Sequence, residues 1–331
     1  MIKEERYKSN LKVQKLAIYV GISLLTIKFT AYFLTHSNAI LTDAFESIVN
    51  VFASFIGLFS LNISSTPKDK NHPYGHGKIE FISGLAEGLM LLIAALAVIA
   101  TAVYGFFVPN VLEKLDIGLG LIILSGIANY IIGEMAERQG NKTDSMTLKA
   151  GGKHLKADAY TTLGLVIGLV LIMITKLVWI DNVIALAFGI LILFSSWKIL
   201  RKSVAGIMDE ADFESLEELA HGLESKRIPE WVDIHNLRLV KYGPDPHIDC
   251  HLTIPFYHDL KFANQQIIKL NEIVNETMGV DSEMFVHVDP CISEQCSICE
   301  VMECEFRKKE FNKKVPWTLE NILHDKHHGI E

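Results

Sequence analysis

The sequence predicts an α-helical membrane protein: six transmembrane helices followed by a cytoplasmic α+β domain with the element order α-β-β-α-β. Half of the 331 residues are hydrophobic, and they are concentrated between residues 12 and 204. Six stretches there reach the roughly 20 apolar residues that cross a bilayer. Beyond residue 208 the hydrophobic spacing becomes that of short amphipathic helices and strands. We therefore expect a membrane domain at 1–207, a cytoplasmic domain at 208–290, and a tail at 291–331 that contains cysteine and histidine.

The membrane part divides into six predicted spans. They cover residues 12–34, 39–64, 79–107, 116–137, 146–175 and 180–202. Lysine and arginine are concentrated in the N-terminal segment, in the loops after the second and fourth spans, and after the sixth, which predicts that both termini are cytoplasmic. The first apolar run is too long for a signal peptide and lacks a cleavage site, so we expect it to be retained as a span. The chain is thus predicted to be a multi-pass integral membrane protein.

The cytoplasmic part alternates between helical and strand patterns. "FESLEELAHGLESK" and "LKFANQQIIKLNEIVNETMG" have helical spacing, and the second is expected to end at Gly279. "DIHNLRLVKY", "HIDCHLTIPF" and "EMFVHVDP" read as strands, with the turn residues "GPDP" between the first two. This order predicts a small sheet with helices on one face.

Composition and motifs exclude several classes of function. The formal net charge of -8 argues against nucleic acid as a partner. The chain has no HExxH motif and no nucleophile elbow, so we do not expect an enzyme such as a membrane metallohydrolase. A membrane-bound metal sensor or scaffold that does not transport remains an alternative of another class.

Polar side chains fall on one face of two predicted spans. In span 2 they are spaced i, i+3, i+4 and i+7, and they are Asp43, Glu46, Ser47 and Asn50. In span 5, His154 and Asp158 are spaced i and i+4. Ionisable groups inside a membrane mark functional sites by default, and two such faces could supply about four ligands to one divalent ion. Asn50 alone could equally be a helix–helix contact, and His154 with Asp158 could lie at the cytoplasmic interface.

Four segments together resemble a known family. They are "LTDAFESIVN" in span 2, "DKNHPYGHGKIE" before span 3, "KHLKAD" in span 5 and "VHVDP" in the last strand. On these motifs the chain resembles the cation diffusion facilitator family of divalent-metal efflux proteins, from about residue 12 to residue 290. The resemblance implies a homodimer, a metallochaperone-like cytoplasmic fold, and export of metal in exchange for protons, in a bacterial inner (plasma) membrane.

The resemblance also implies a transport site. Its residues would be Asp43, Ser47, His154 and Asp158. Many bacterial members have a second aspartate where this chain has Ser47, so Glu46 or water would have to compensate. Zn²⁺ is the commonest cargo of the family and would also be the regulatory ion, while Fe²⁺, Mn²⁺, Co²⁺ and Cd²⁺ stay open. No organic cofactor is expected.

Two further metal sites are implied by the resemblance. The loop after span 2 would use Asp69, His72 and His76, although the two histidines could instead cap span 3 and tie it to the cytoplasmic domain. The cytoplasmic domain would use His235, His251, His287 and Asp289. Gln266 lies roughly where relatives have a further histidine. Lys78 and Asp209 match a charge pair that links span 3 to the domain junction in relatives.

The tail carries a cysteine motif outside the family pattern. Its members have the spacing C-x4-C-x2-C-x4-C, and they are Cys291, Cys296, Cys299 and Cys304. The central C-x2-C is a common zinc-chelating spacing, and four thiolates can close a tetrahedral site. Simple reduced cysteines are the alternative, since disulfides are not expected in the cytoplasm. The final "HDKHHGIE" could hold metal weakly but is typical of a disordered end.

Metal ligation by these residues predicts proton coupling. Neutral histidine and ionised carboxylates bind a divalent ion, so binding releases protons. An empty and ionised site would leave uncompensated charge in lipid. We therefore expect metal and protons to alternate in one membrane site.

Overall fold

The computed structural model describes residues 2–64, 66–108, 111–143, 146–242, 245–279 and 282–329. Among these residues, six helices are long and apolar enough to cross a membrane. Their bounds are α1 Ile2–Thr35, α2 Asn38–Ser64, α3 Ile79–Phe107, α4 Leu115–Thr143, α5 Met146–Thr175 and α6 Trp179–Ile207. The predicted architecture of six spans followed by a small α+β domain is confirmed. Helix α1 begins ten residues earlier than the predicted span, because its polar start is rich in good helix formers.

The chain forms two compact units. The membrane unit contains residues 1–61 and 82–203, and the second unit contains residues 62–81 and 204–331. The loop between α2 and α3 therefore belongs to the same unit as the sheet. Within that unit Lys78 Nζ lies 2.8 Å from Asp209 Oδ2 and sits over the Tyr242 ring, so the charge pair expected from the resemblance is formed.

The start of α2 is fixed by a carboxylate from α6. Asp181 is buried and accepts hydrogen bonds from the Ser37 hydroxyl at 2.5 Å and from the Asn38 backbone N–H at 2.6 Å. The first N–H groups of a helix need such acceptors. Because α2 begins at Asn38, Asp43 lies inside the helix in its second turn.

Glycines let α4 and α5 approach each other closely. A Cβ at Gly152 would lie 2.5 Å from the backbone nitrogen of Glu137, and one at Gly133 would lie 2.8 Å from the Gly152 carbonyl oxygen. Small residues at a helix interface allow this separation in a membrane. Lys156 of α5 also lies 3.1 Å from Glu134 of α4. These contacts hold the part of α5 that carries His154 and Asp158.

The second unit contains a three-stranded sheet with two helices. Its elements are α7 Phe213–Ser225, β1 Asp233–Tyr242, β2 Asp245–Ile254, α8 Leu260–Met278 and β3 Glu283–Pro290. The strand order is β1-β2-β3, with β1 and β2 antiparallel and β2 and β3 parallel. Of the predicted turn, Gly243 and Pro244 lie outside the described residues. Helix α8 ends where Gly279 adopts a positive φ of 66°, as expected for a C-terminal glycine.

The tail packs into the core of this unit. It contains a 3-10 helix at Ser293–Ser297 and a short helix α9 at Leu319–Leu323. Trp317 is 2% exposed and stacks on Trp231, with ring centroids 6.3 Å apart. Ile322 is fully buried in the same core. The chain after Pro290 is therefore folded against the sheet domain.

Candidate metal sites

Three side chains from α2 and α5 meet in the membrane unit. Asn50 Nδ2 donates to Asp158 Oδ2 at 2.7 Å, and Asn50 Oδ1 lies 3.2 Å from His154 Nε2. His154 Nε2 lies 3.7 Å from Asp158 Oδ1. Asp158 is buried, whereas the His154 side chain is 54% exposed. The three residues line a cavity of about 560 Å³, so a cation inside it would meet two oxygen-bearing groups and one imidazole.

Asp43 is paired with a lysine from α1. Lys28 Nζ lies 2.8 Å from Asp43 Oδ1, and both side chains are buried. Ser47 is buried too, and its hydroxyl donates to the Asp43 carbonyl oxygen at 3.0 Å. Of the four predicted transport ligands, His154 and Asp158 place their side chains within contact distance of each other. Ser47 lines the same cavity, and Asp43 lines a neighbouring space of about 10 Å³ together with Glu46.

Sequence reasoning missed two ionisable residues at this site. Lys28 is the partner of Asp43, and Glu87 of α3 lines the larger cavity. Each lies within an apolar span, "SLLTIKFTAY" and "SGLAEGLMLL", which is itself the signal of a functional group in a membrane. Asn50, which the sequence alone allowed to be a helix contact, hydrogen-bonds to Asp158 and lies beside His154 of α5.

The loop before α3 brings Asp69, His72 and His76 together. Their ligand atoms all lie within 4.8 Å of one another. Asp69 Oδ1 accepts the His72 backbone N–H at 2.7 Å, and this bond and the Asn71 N–H hold the pKa of the Asp69 carboxyl below its usual range. The histidine rings lie 4.3 Å apart. The cluster is open to solvent on the Asp69 and His72 side.

Strand register aligns the three predicted histidines of the sheet. His235 pairs with His251 across β1 and β2, and His251 pairs with His287 across β2 and β3. Asp289 lies two residues after His287, so it is on the same face. Its carboxylate is 3.0 Å from His251 Nδ1, 3.3 Å from His287 Nε2 and 3.9 Å from His235 Nε2. Asp289 therefore lies within 4 Å of all three histidines, and His235, His251 and Asp289 form the tight group, with His287 beside it.

Gln266 is not a ligand in this arrangement. It is 2% exposed, and its Oε1 accepts the Trp231 Nε1–H at 3.1 Å. The side chain faces the hydrophobic core of the unit. The residue considered from the resemblance as a possible ligand position is thus buried against Trp231 instead.

The terminal histidines reach the start of β1. His328 Nδ1 lies 2.7 Å from Asp233 Oδ1, and the His328 backbone N–H donates to Asp233 Oδ2 at 3.0 Å. Burial favours the neutral carboxyl, but the nearby His235 ring and the hydrogen bonds from His328 outweigh burial and hold the pKa of Asp233 well below its usual range. His327 lies with its ring 4.4 Å from that of His235. The segment expected to be disordered is described through Gly329.

The four tail cysteines line one small cavity of about 20 Å³, beside Arg307. All are free thiols. Burial raises the pKa of the Cys291 and Cys299 thiols, while N–H groups of Phe256 and Val301 act in the opposite direction. The fifth cysteine, Cys250, lies apart in the core, where burial raises its pKa to about 12. Cys250 therefore does not belong to the cysteine cluster of the tail.

Within the described ranges, three groups of His, Cys, Asp or Glu side chains place their ligand atoms within 4.8 Å of one another. They are Asp69–His72–His76, His235–His251–Asp289 and Asp233–His235–His327. All three lie in the second unit. The predicted transport-site residues form no such group among the described residues.

Comparison with known proteins gives two family matches. The family described as "Cation efflux transmembrane domain" matches residues 15–208, and the one described as "Cation efflux protein, cytoplasmic domain" matches residues 211–291. Together they cover the membrane helices and the sheet domain. The tail beyond residue 291 lies outside both matches.

Curated relatives agree with these matches along most of the chain. An uncharacterized transporter of Synechocystis sp. is 27% identical over 279 residues, which are 83% of this chain and 88% of the relative. The cation-efflux pump FieF of Salmonella arizonae is 26% identical, over 83% of this chain and 91% of the pump. The manganese efflux system protein MneS of Bacillus subtilis is 26% identical, over 83% and 93% respectively. The chain is a multi-pass membrane protein that belongs to the cation diffusion facilitator family, a family of cation efflux transporters rather than of enzymes.

Proposed function

We propose that this protein exports a divalent transition metal in exchange for protons, through the site that α2 and α5 form. The observation that carries the proposal is the contact of Asn50 with both His154 and Asp158 at the wall of a cavity among apolar helices. An ionisable pair inside a membrane is energetically costly, so its presence marks a functional site by default. Histidine and aspartate bind metal only when deprotonated, so metal and protons compete for them.

Lys28 suggests how the site stays neutral without metal. Its ammonium group contacts Asp43 at 2.8 Å, and both side chains are buried. A metal ion that uses the Asp43 carboxylate would have to displace this internal cation. We propose that Lys28 and the cargo alternate at Asp43, so that this carboxylate is compensated in both states.

Zn²⁺ is the first candidate cargo, because imidazole suits zinc. Mn²⁺ is the second candidate, since carboxylate and amide oxygens suit harder ions, and Asn50 adds an amide oxygen 3.2 Å from the His154 ring nitrogen. The Bacillus relative is a manganese efflux system protein. Fe²⁺, Co²⁺ and Cd²⁺ complete the panel to be tested.

The second unit is proposed to sense cytoplasmic metal within a homodimer, with both termini on the cytoplasmic side of a bacterial inner membrane. The match of the cytoplasmic domain and the aligned histidines of the sheet support this role. A metal that binds one arrangement of the dimer better shifts the population toward it.

Reconstitution in proteoliposomes tests the transport proposal. The measurement follows metal entry and internal pH together, for each metal of the panel, with wild type and with Asp158→Ala. We expect coupled metal and proton fluxes in wild type and neither flux in Asp158→Ala. Asp116→Ala removes an exposed aspartate from the first turn of α4 and serves as the matched control.

Two outcomes would contradict the proposal. Wild-type fluxes in Asp158→Ala, with the variant folded by gel filtration, would exclude this site. Metal binding without any flux in wild type would favour the sensor or scaffold alternative. Ser47→Asp in the same assay tests whether a stronger ligand at that position changes the metal preference.

A further inference from the structure

The path of the tail brings its last residues to the sheet. Trp317 and Ile322 are buried in the core of the second unit, and the Trp317 backbone N–H donates to Glu224 of α7 at 3.0 Å. The Asn236 N–H in β1 then donates to the His324 carbonyl oxygen at 2.6 Å. These contacts hold residues 317–324, so the following residues lie against the beginning of β1.

Asp233 positions His328 and, with it, the neighbouring His327. It accepts both the ring and the backbone N–H of His328, which leaves His327 beside His235. The ligand atoms of Asp233, His235 and His327 lie within 4.8 Å of one another. Asp233 and His235 are 1% and 2% exposed, so two of the three groups are almost completely removed from water.

Two nitrogen atoms of this group have no hydrogen-bond partner within the described chain. They are Nδ1 of His235 and Nδ1 of His327, and both are buried. His235 Nδ1 lies 3.3 Å from Asp233 Oδ2, but without hydrogen-bond alignment. A buried polar atom without a hydrogen-bond partner carries a free-energy cost. A metal ion coordinated by these nitrogens would remove that cost.

We propose that the tail supplies His327 as a ligand to a metal site of its own, completed by Asp233 and His235. Two imidazoles, one carboxylate and a water would give a four-coordinate site of the kind that Zn²⁺ and Co²⁺ prefer. This site differs from the group of His235, His251 and Asp289, because only His235 belongs to both. The tail ligand comes from beyond the residues that the family matches cover.

This site does not depend on the transport proposal. It requires only the second unit, and a metal bound there would fix the last residues of the chain on β1. Lys326, which is exposed and precedes His327, offers a reporter because trypsin cleaves after it. Metal binding should protect this bond.

The test uses the full-length protein in detergent, titrated with Zn²⁺ in a chelator buffer. We compare wild type with His327→Ala and with His324→Ala, an exposed histidine of the same tail that no candidate group contains. His327→Ala should bind one Zn²⁺ fewer per protomer, or bind it more than about 100-fold more weakly, since losing even a residue that only hydrogen-bonds to a ligand lowers metal affinity about 10- to 100-fold. His324→Ala should bind as wild type does.

Proteolysis gives a second readout that transport does not affect. In wild type, Zn²⁺ should slow tryptic release of residues 327–331, measured by mass spectrometry, and in His327→Ala it should not. Equal Zn²⁺ stoichiometry and affinity in wild type and His327→Ala would overturn the proposal. Loss of flux with intact binding at His327 would count against the transport proposal alone.

A second and independent observation concerns the tail cysteines. The Cys296 sulfur accepts the backbone N–H of Lys308 at 3.5 Å, and all four cysteines line the same small cavity. Donors to sulfur stabilise thiolates and tune metal sites. Arg307 also donates to the carbonyl oxygens of Cys296 and Cys299 at 2.7 and 2.9 Å, which fixes the loop.

We infer that these four thiolates hold one tetrahedral ion of the zinc class. The shared cavity of about 20 Å³ has room for a single ion. In the described chain no three sulfur atoms lie within 4.8 Å of one another, whereas zinc–sulfur bonds of about 2.3 Å require closer spacing. The loop therefore has to draw the sulfur atoms inward when the ion binds.

Co²⁺ substitution in the full-length protein tests this site. Wild type should show a thiolate-to-cobalt charge-transfer band with tetrahedral d–d bands. Cys299→Ser and Cys304→Ser should lose the charge-transfer band, and Cys250→Ala, which changes the buried cysteine of β2, should keep it. A band that survives in both serine variants, or purified protein carrying iron with inorganic sulfide, would overturn the single-ion site.

Discussion

The two units of this protein treat their candidate ligands differently. In the membrane unit, the carboxylate of Asp43 contacts a non-ligand cation, the Lys28 ammonium group. In the second unit, Asp289 contacts the histidines that would share its metal, and nitrogen atoms of His235 and His327 lack hydrogen-bond partners within the described residues. The first arrangement supports exchange, because a cation is already present to replace the metal. The second supports retention, because a bound metal would satisfy buried nitrogen atoms that have no partner within the described residues.

The largest effect should follow from breaking the Lys28–Asp43 pair. Asp43→Asn leaves a buried ammonium without a partner, which costs about 3–5 kcal/mol. We expect little folded protein and no flux, measured by yield after gel filtration and by proteoliposome assay. The double variant Lys28→Met with Asp43→Asn should recover folded protein but not transport. Poor folding of the double variant would show that the pair has another structural role.

Asn50→Ala should give the next largest effect. It removes the hydrogen bond to the Asp158 carboxylate, and bonds to charged groups contribute about 1.5–3 kcal/mol. The metal flux should fall by about 10- to 100-fold. Asn129→Ala, which changes a second asparagine at the same cavity, is the control and should cost less. Equal losses in both variants would mean that the cavity matters but the bridge to His154 and Asp158 does not.

Trp317→Ala should release the tail from the second unit while transport continues. Truncating a buried tryptophan costs about 3–5 kcal/mol of local stability, and here it would release the tail. Tryptic cleavage at Lys326 should become fast and independent of Zn²⁺, while flux at saturating metal persists. Trp179→Ala, an exposed tryptophan of α6, controls for loss of the ring. Complete loss of flux in Trp317→Ala would indicate that the tail takes part in transport itself.

The smallest effect is expected at the loop site. His72 and Asp69 are about half exposed, and exposed charged pairs contribute at most about 1 kcal/mol. His72→Ala should change flux by less than about fivefold while lowering Zn²⁺ binding at low metal concentration. A large loss of maximal flux would make this loop part of the transport path.

The helices and strands were predictable because hydropathy and periodicity are local signals. The bounds of α2, α8 and β3 follow from apolar length, a helix-ending glycine and alternation. The pairing of His154 with Asp158 and of Asp69 with His72 and His76 follows from short spacing in sequence. The side-by-side position of His235, His251 and His287 depends on strand register, which cannot be read from the sequence.

Contacts between distant segments were not predictable. Lys28 of α1 contacts Asp43 of α2, and the sequence analysis did not single out Lys28, because its partner is fixed only by how the two helices pack. The final "HDKHHGIE" was expected to be disordered, whereas the burial of Trp317 in the core of the second unit holds the preceding chain in place. Because of that packing, His327 meets Asp233 from almost a hundred residues away in sequence.

The rate at which a chelator removes metal from the full-length protein tests the contrast between exchange and retention most directly. After loading with Zn²⁺, wild type should release metal in a fast phase from the membrane site and a slow phase from the second unit. Asp158→Ala should remove only the fast phase, and His251→Ala should reduce only the slow phase. A slow phase lost in Asp158→Ala, or a fast phase that persists there, would contradict the account.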